Sequence, residues 1–462
     1  VRKRCGLRIR VRLGLILIPT VGTVFTRQIF STPGIPLPIK GSRKMKRLAA
    51  TRVVVAGMAI FVAASTMLSG CSNNSTDREV DLDAYEWAVF LSEYRNTGYL
   101  PKSLSGYVAL VRDDGSYDLI EHAGMDQGQI SWTEHGINFA DAEGDHWITA
   151  KGSKVVEQDR VELMDGLVTL SDGLTRVGVY NAGRQKKGYR EEVVISRPDS
   201  SEHRALTTVG FYPMISACGD DVYAAYSMTP EDGDARFIFD QIVNDGTVEH
   251  THVGTEKVPF SEFGYIARDA PCAAGRIYFL GGFVNYDGEQ RAENKLLAPH
   301  MQRTSGGHKH AFVLVTVDTG TGEVDWLPLT TDSGANLEIS PEEADYSAVD
   351  AHSLDGDGNL VWVGGNGVLY RTSVKTGQTT VLSDELEEDQ HGTEPEWLYH
   401  FSSDDDTVTV LVEDTRDPLA KPRIVVFNKT SGKIIKDIQI NGLKRDVSDA
   451  MILRDIAQKP TE

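Results

Sequence analysis

The sequence predicts an all-β chain folded as a single β-propeller of seven four-stranded blades, and three observations carry that expectation. From about residue 105 onward, short apolar or alternating segments follow at close spacing with almost no helical periodicity, among them 107–111, 167–170, 222–226, 276–280, 311–317, 360–364, 408–412 and 423–427. Between them lie turns such as Asp113-Asp114-Gly115, Asn244-Asp245-Gly246, Asp318-Thr319-Gly320 and Lys375-Thr376-Gly377, whose Gly and Asn accept the positive φ of a tight reversal. A strand, a Thr-Gly or Ser-Gly turn and a second strand then recur as AFVLVTVDTGTGEVDWL (311–327), VLYRTSVKTGQTTVL (368–382) and IVVFNKTSGKIIKDI (424–438).

Taken four strands at a time, the segments form units at about 129–159, 160–200, 203–253, 262–329, 343–383 and 394–440. The strands near 85–91, 107–111 and 117–121 lack an inner partner, and the strand left over at 447–454 supplies it. Pairing the two ends closes the ring and removes the exposed edges of an open sheet. One misread hairpin would give six or eight blades, and two β-sandwiches, which leave the termini apart, are the alternative architecture. The three repeated hairpins resemble the outer hairpins of bacterial β-propellers of the quinoprotein and surface-repeat type; the resemblance covers about a third of the chain and implies architecture, not activity. In such a blade the loops between second and third strands share a face with the blade-to-blade crossings. Those loops are the long ones here, at 228–235, 282–309 and 413–422, so this face is expected to carry the ligand, with 282–309 as a lid or arm.

A second pattern concerns location. Met45-Lys46-Arg47 and Arg52 precede an apolar run of 15 residues at 53–67, short of the roughly 20 needed for a membrane span. Leu68-Ser69-Gly70-Cys71 follows, and it resembles the lipobox of bacterial lipoproteins. The resemblance implies a signal peptide at 45–70, lipidation of Cys71, and anchoring, by palmitate or a similar chain, to the outer face of the bacterial cytoplasmic membrane. Residues 71–84 then read as a polar tether and 85–456 as the propeller domain, while 1–44 reads as untranslated sequence ahead of a misassigned start. Residues 1–70 hold 13 Lys or Arg and no Asp or Glu, which leaves 34 basic against 67 acidic residues beyond them, a formal net charge of −33. Such acidity repels phosphate backbones and excludes nucleic acid as a partner. An envelope protein or glycan and the membrane are the expected partners, for a monomer.

An aromatic residue recurs just before or at each inner strand, namely Trp132, Tyr212, Tyr265, Tyr346 and Trp397, with Asp126, Glu262, Glu343, Asp345, Glu394 and Glu396 nearby. Aromatic faces stack on sugars or hold cations and carboxylates accept hydroxyl hydrogen bonds, so these are the ligand-binding candidates; packing between blades is the competing role. Cys218 and Cys272 occupy matching corners of adjacent units and are expected to form a disulfide, the alternative being two buried thiols. No metal or cofactor is expected: His308-Lys309-His310 and His250-Thr251-His252 each offer only half of a zinc site, and Asp355-Gly356-Asp357-Gly358-Asn359 lacks the glutamate that completes a calcium loop. No serine elbow or phosphate loop occurs, and no catalytic residue is assigned. The favoured function is a lipid-anchored extracytoplasmic propeller that binds a ligand or scaffolds an envelope partner. A propeller enzyme, either a glycan hydrolase or lyase or a quinone-dependent dehydrogenase, and an accessory subunit of a membrane complex are the alternatives. A buried carboxylate of raised pKa favours the enzyme and a flat open face favours binding.

Overall fold

The structure is a computed structural model that describes residues 80–93, 104–158, 160–161, 163–186, 188–228, 235–258, 263–266, 269–284, 310–339, 348–387, 397–417, 420–447 and 451–461. Among them, seven antiparallel sheets follow one another as the blades of a propeller. Blade 1 runs from Ile130–Thr133 to Gly152–Glu157, blade 2 from Met164–Thr169 to Ser200–Thr208, and blade 3 from Met214–Cys218 to Thr247–Lys257. Blade 4 spans Phe263–Ile266 to Val324–Pro328, blade 5 centres on Asn359–Val363, Leu369–Ser373 and Thr379–Ser383, and blade 6 runs from Trp397–Ser403 to Ile434–Gln439. Blade 7 is composite: the C-terminal strand Met451–Gln458 pairs with Trp87–Glu93, followed outward by Gly106–Val111 and Tyr117–His122. The closure expected from the two chain ends is therefore the observed one, and the first strand of each blade is the inner one.

Three boundaries differ from the sequence reading. The outer strand of blade 2 continues to Thr208, so blade 3 begins at Met214 and not near 203. Its residues SSEHRALTT are mostly exposed or half-buried, because an outermost strand meets solvent along its edge and reads as loop. The closing strand is Met451–Gln458 instead of 447–454, since Leu443–Asp446 forms a helical turn first. The inner strand of blade 4 is split into Phe263–Ile266 and Cys272–Ala273, and that of blade 5 reduces, among the described residues, to bridges such as Ala348 to Val363.

The core lies between blades. Side chains alternate across a strand, and in a propeller both faces of a sheet meet a neighbour, so second strands such as Trp87–Glu93, Gly136–Ala140 and Thr407–Asp414 are buried at nearly every position. Trp87, Val89 and Leu91 pack with Leu411, Ile424 and Val426 of blade 6, while Ala88 and Phe90 pack on the opposite side with Ile137 and Phe139 of blade 1. Truncating one such side chain to Ala costs about 2–5 kcal/mol. Polar contacts then lock successive inner strands: Leu167 N–H donates to Gln129 Oε1 at 2.6 Å, Ser216 Oγ to the Ala270 carbonyl at 2.6 Å, and Ser403 Oγ to Asp350 Oδ1 at 2.6 Å. Cys218 and Cys272 are disulfide-bonded, with Cα atoms 5.4 Å apart, and staple blade 3 to blade 4 as expected.

Candidate functional site

Because strands alternate in direction, each blade's second-to-third loop emerges on the face that carries the crossings, and the other two turns emerge opposite. The long connections Met228 to Arg236, Val284 to His310 and Asp414 to Arg423 are all second-to-third loops, so they share one face. The lid role expected of 282–309 falls almost wholly outside the described residues. The chain enters on the opposite, tight-turn face: Trp87 pairs with Gln458 at the far end of the inner strand, and Lys459 N–H donates to the Glu86 carbonyl at 2.9 Å.

The aromatic candidates have unlike environments. Trp132 is buried with Leu82, Tyr85 and Phe90 in the core shared by blades 7, 1 and 2. Tyr212 is fully buried and donates to Asp240 Oδ2 at 2.8 Å, with burial and then that carboxylate pushing its pKa far up. These two side chains thus take the packing role between blades. Trp397 is half-buried, with the Arg416 guanidinium 5.0 Å above its ring, and Arg416 in turn pairs with Asp414. Tyr265 lies on the strand Phe263–Ile266, paired with Gly281, and His310 begins the strand His310–Asp318. Tyr346, Glu262, Glu343, Asp345, Glu394, Glu396, His308 and the lipidation residue Cys71 lie outside the described residues. Asp126 is buried against Arg454 at 2.7 Å.

One exposed group escaped the sequence reading. Val209 and Phe211, on the crossing from blade 2 to blade 3, are 55% and 42% exposed, and Phe211 meets the ring of Tyr189 edge-on at 5.8 Å between centroids. The crossing is held from below. Gly210 rests against the buried Tyr226, where an added Cβ would come within 2.6 Å of the ring, Thr208 Oγ1 donates to the Gly210 carbonyl, and Tyr212 plugs the core. The sequence signal was present as Val209-Gly210-Phe211-Tyr212, but starting a blade near 203 placed the crossing after Thr208 inside that blade.

Beneath this crossing lies a buried polar layer. Asp240 accepts from Tyr212 and contacts His250 Nε2 at 3.3 Å and His252 Nδ1 at 2.9 Å, so the two imidazoles do share a strand face but spend it on one carboxylate. Burial pushes the Asp240 carboxyl up, yet these hydrogen bonds hold it below the usual range, and the bond to Asp240 raises His250. Among the described residues no three His, Cys, Asp or Glu side chains are arranged to hold a metal ion. The Asp355 segment is a turn whose carboxylate accepts from the Asp357 and Asn359 N–H groups. In blade 2 the carboxyls of Asp165 and Glu191 face each other, and burial followed by Asp165 raises Glu191 strongly. At the inner strands, burial followed by Asp350 and Asp455 raises Asp269. Both carboxyls therefore hold a proton more readily than a free side chain and can donate a hydrogen bond near neutral pH.

Residues 88–457, from the strand Trp87–Glu93 to the strand Met451–Gln458, match the family described as the YycP β-propeller domain. No curated protein sequence matches the chain. Similar solved structures include the β-propeller domain of the trilobed protease from Pyrococcus furiosus (14% identity, TM-score 0.41, covering 77% of this chain and 94% of that one). A Synechocystis apocarotenoid oxygenase mutant (9%, 0.42, 79% and 91%) and apo AztD from Citrobacter koseri (12%, 0.38, 81% and 97%) are further examples. At these values none of them transfers an activity.

Proposed function

This chain belongs to the YycP β-propeller family, and we propose that it works as a lipid-anchored, extracytoplasmic recognition protein whose long-loop face binds an envelope partner beside blades 2 and 3. The observation that carries the reading is the rigid crossing that holds Val209 and Phe211 out into solvent. Apolar side chains fixed outward by a buried Tyr below them have the form of a contact surface. The net acidity of the chain beyond residue 70 favours a partner that brings Lys or Arg to flank an apolar segment; a glycan stacking on Phe211 and Tyr189 is the other ligand that this chemistry accepts. The Cys218–Cys272 disulfide supports an oxidising compartment. Val80, the first described residue, lies nine positions beyond Cys71 and leads into the tight-turn face. An anchor at Cys71 would hold that face toward the membrane and leave the long-loop face turned outward. Peptide and glycan arrays probed with the full chain and with Phe211→Ala test the binding role, which fails if both proteins give the same pattern. Labelling with a palmitate analogue tests the anchor, and label retained in Cys71→Ser would reject it.

Asp269 favours a second reading, a propeller enzyme. A protonated Asp269 near the carboxylates of Asp350 and Asp455 has the parts of a general acid with a stabilising partner, as glycosidases use. Release of chromophore from aryl glycosides, lost in Asp269→Asn, would support it. Equal turnover by both proteins would reject it.

A further inference from the structure

We propose that Asn441 is a site of spontaneous deamidation, where the chain leaves blade 6 for the strand that closes the ring, and that the fold protects the chain's other Asn-Gly pair from the same reaction. The sequence holds two such pairs, Asn366-Gly367 and Asn441-Gly442. Asparagine is most reactive before glycine, because no side chain shields the following nitrogen as it approaches the amide carbon. By sequence the two pairs are equivalent. Their surroundings are not.

At Asn366 both reacting groups are tied down. The side chain is 8% exposed, its Oδ1 accepts from the Val368 N–H at 3.2 Å and its Nδ2 donates to the Tyr370 hydroxyl at 3.4 Å. The Gly367 N–H, which carries the nitrogen that would attack, donates to the Gly364 carbonyl at 2.9 Å. At Asn441 the side chain is exposed and, among the described residues, its amide makes a single hydrogen bond, from Nδ2 to the Gln439 carbonyl at 3.2 Å. Among the same residues the Gly442 N–H has no acceptor, and Gly442 itself turns the chain at a φ of 93°.

The reaction needs no cofactor or oxidant. The Gly442 nitrogen gives its proton to solvent and attacks Asn441 Cγ; the N–Cγ bond forms, the Cγ–Nδ2 bond breaks, and Nδ2 takes a proton from solvent and leaves as ammonia. Water then opens the cyclic imide at either carbonyl. Opening at Cγ leaves aspartate, and opening at the main-chain carbonyl leaves isoaspartate, whose backbone runs through Cβ and Cγ and is one atom longer. The position makes that extra atom matter. Ile440 and Leu443 on either side are fully buried in one core with Val447 and Met451. The Gly442 carbonyl accepts from the Arg445 and Asp446 N–H groups, both at 3.0 Å, and Asp446 receives the Tyr117 hydroxyl of blade 7 at 2.7 Å. A lengthened backbone cannot keep both buried side chains seated and this turn closed, because a packed core does not stretch. Ageing at Asn441 therefore loosens the join between blades 6 and 7.

The test ages the full chain in warm, mildly alkaline buffer and maps its peptides by mass spectrometry. The tryptic peptide 437–444 should gain the mass difference between amide and acid and split into aspartyl and isoaspartyl forms. Conversion at Asn366 in the same sample should be at least about tenfold slower, since its hydrogen bonds must break first. In urea the two sites should convert alike. Aged wild type should then unfold at lower urea than fresh protein, while Asn441→Gln, an exchange of exposed amides, should show no such ageing. An unmodified 437–444 peptide in the folded chain, or equal conversion at the two sites, would overturn the assignment. Identical unfolding of fresh and aged wild type after conversion would overturn the effect on ring closure. The peptide map of the wild type decides the site whether or not the variant folds.

Discussion

Asp455, on the last strand of the chain, accepts a hydrogen bond from the Ile130 N–H at 2.9 Å and so ties the C-terminal strand to the first strand of blade 1. Its neighbour Arg454 meets the buried Asp126 at 2.7 Å on the same seam. The propeller is closed by polar contacts as well as by the pairing of Met451–Gln458 with Trp87–Glu93. Arg454→Ala leaves Asp126 buried without a countercharge and should cost about 3–5 kcal/mol in urea unfolding. Adding Asp126→Asn should recover part of that loss, and a purely additive double variant would show that the pair does not hold the seam.

The disulfide joins residues 54 positions apart in adjacent blades. In the chain-entropy account a loop of that length stabilises the folded state by about 4 kcal/mol. The double variant Cys218→Ser, Cys272→Ser should therefore unfold at clearly lower denaturant, with an unchanged far-ultraviolet spectrum before the transition. A midpoint equal to that of the oxidised wild type would mean that the staple contributes nothing.

Acid should weaken the fold through His122. Burial lowers its pKa from 6.5 to about 4, against the opposing pull of Asp141, so the native protein holds it neutral. Below pH 6.5 the unfolded chain takes up a proton that the folded one refuses. Stability is complete above that pH and falls by about 3 kcal/mol as pH drops toward 4. Urea midpoints followed across this window should decline less steeply in His122→Gln, and parallel curves would assign the decline elsewhere.

At the blade 2 to blade 3 crossing, stability and recognition separate. Phe211→Ala removes an exposed side chain and should shift stability by no more than about 0.5 kcal/mol while reducing partner binding. Gly210→Ala forces the Tyr226 ring to move and should cost about 1–3 kcal/mol. Thermal melts beside binding curves distinguish the two, and a Gly210→Ala protein as stable as wild type would show that the crossing has room to spare.

The residues explain why some features were legible and others were not. The hairpins at 311–327, 368–382 and 424–438 carry local turn chemistry, and they appear as third-to-fourth strand pairs in blades 4, 5 and 6. Cys218 and Cys272 were legible as a pair because repeat position substitutes for distance once blades are counted. Trp132 and Tyr212 stand at the expected strand starts, but their burial depends on the neighbouring blade. The same holds for Phe211, whose exposure follows from where the outer strand of blade 2 ends.

The sequence by itself determined the strand periodicity, the turns, the repeat and the need for the two chain ends to pair, because these rest on interactions within a few residues or on a unit that recurs. Only the tertiary structure decided which aromatic groups are buried, that His250 and His252 converge on Asp240, and that Glu191 faces Asp165. These last pairings arise across strands and between blades, where small shifts of register exchange one neighbour for another and burial turns ordinary carboxylates into groups that hold a proton more readily.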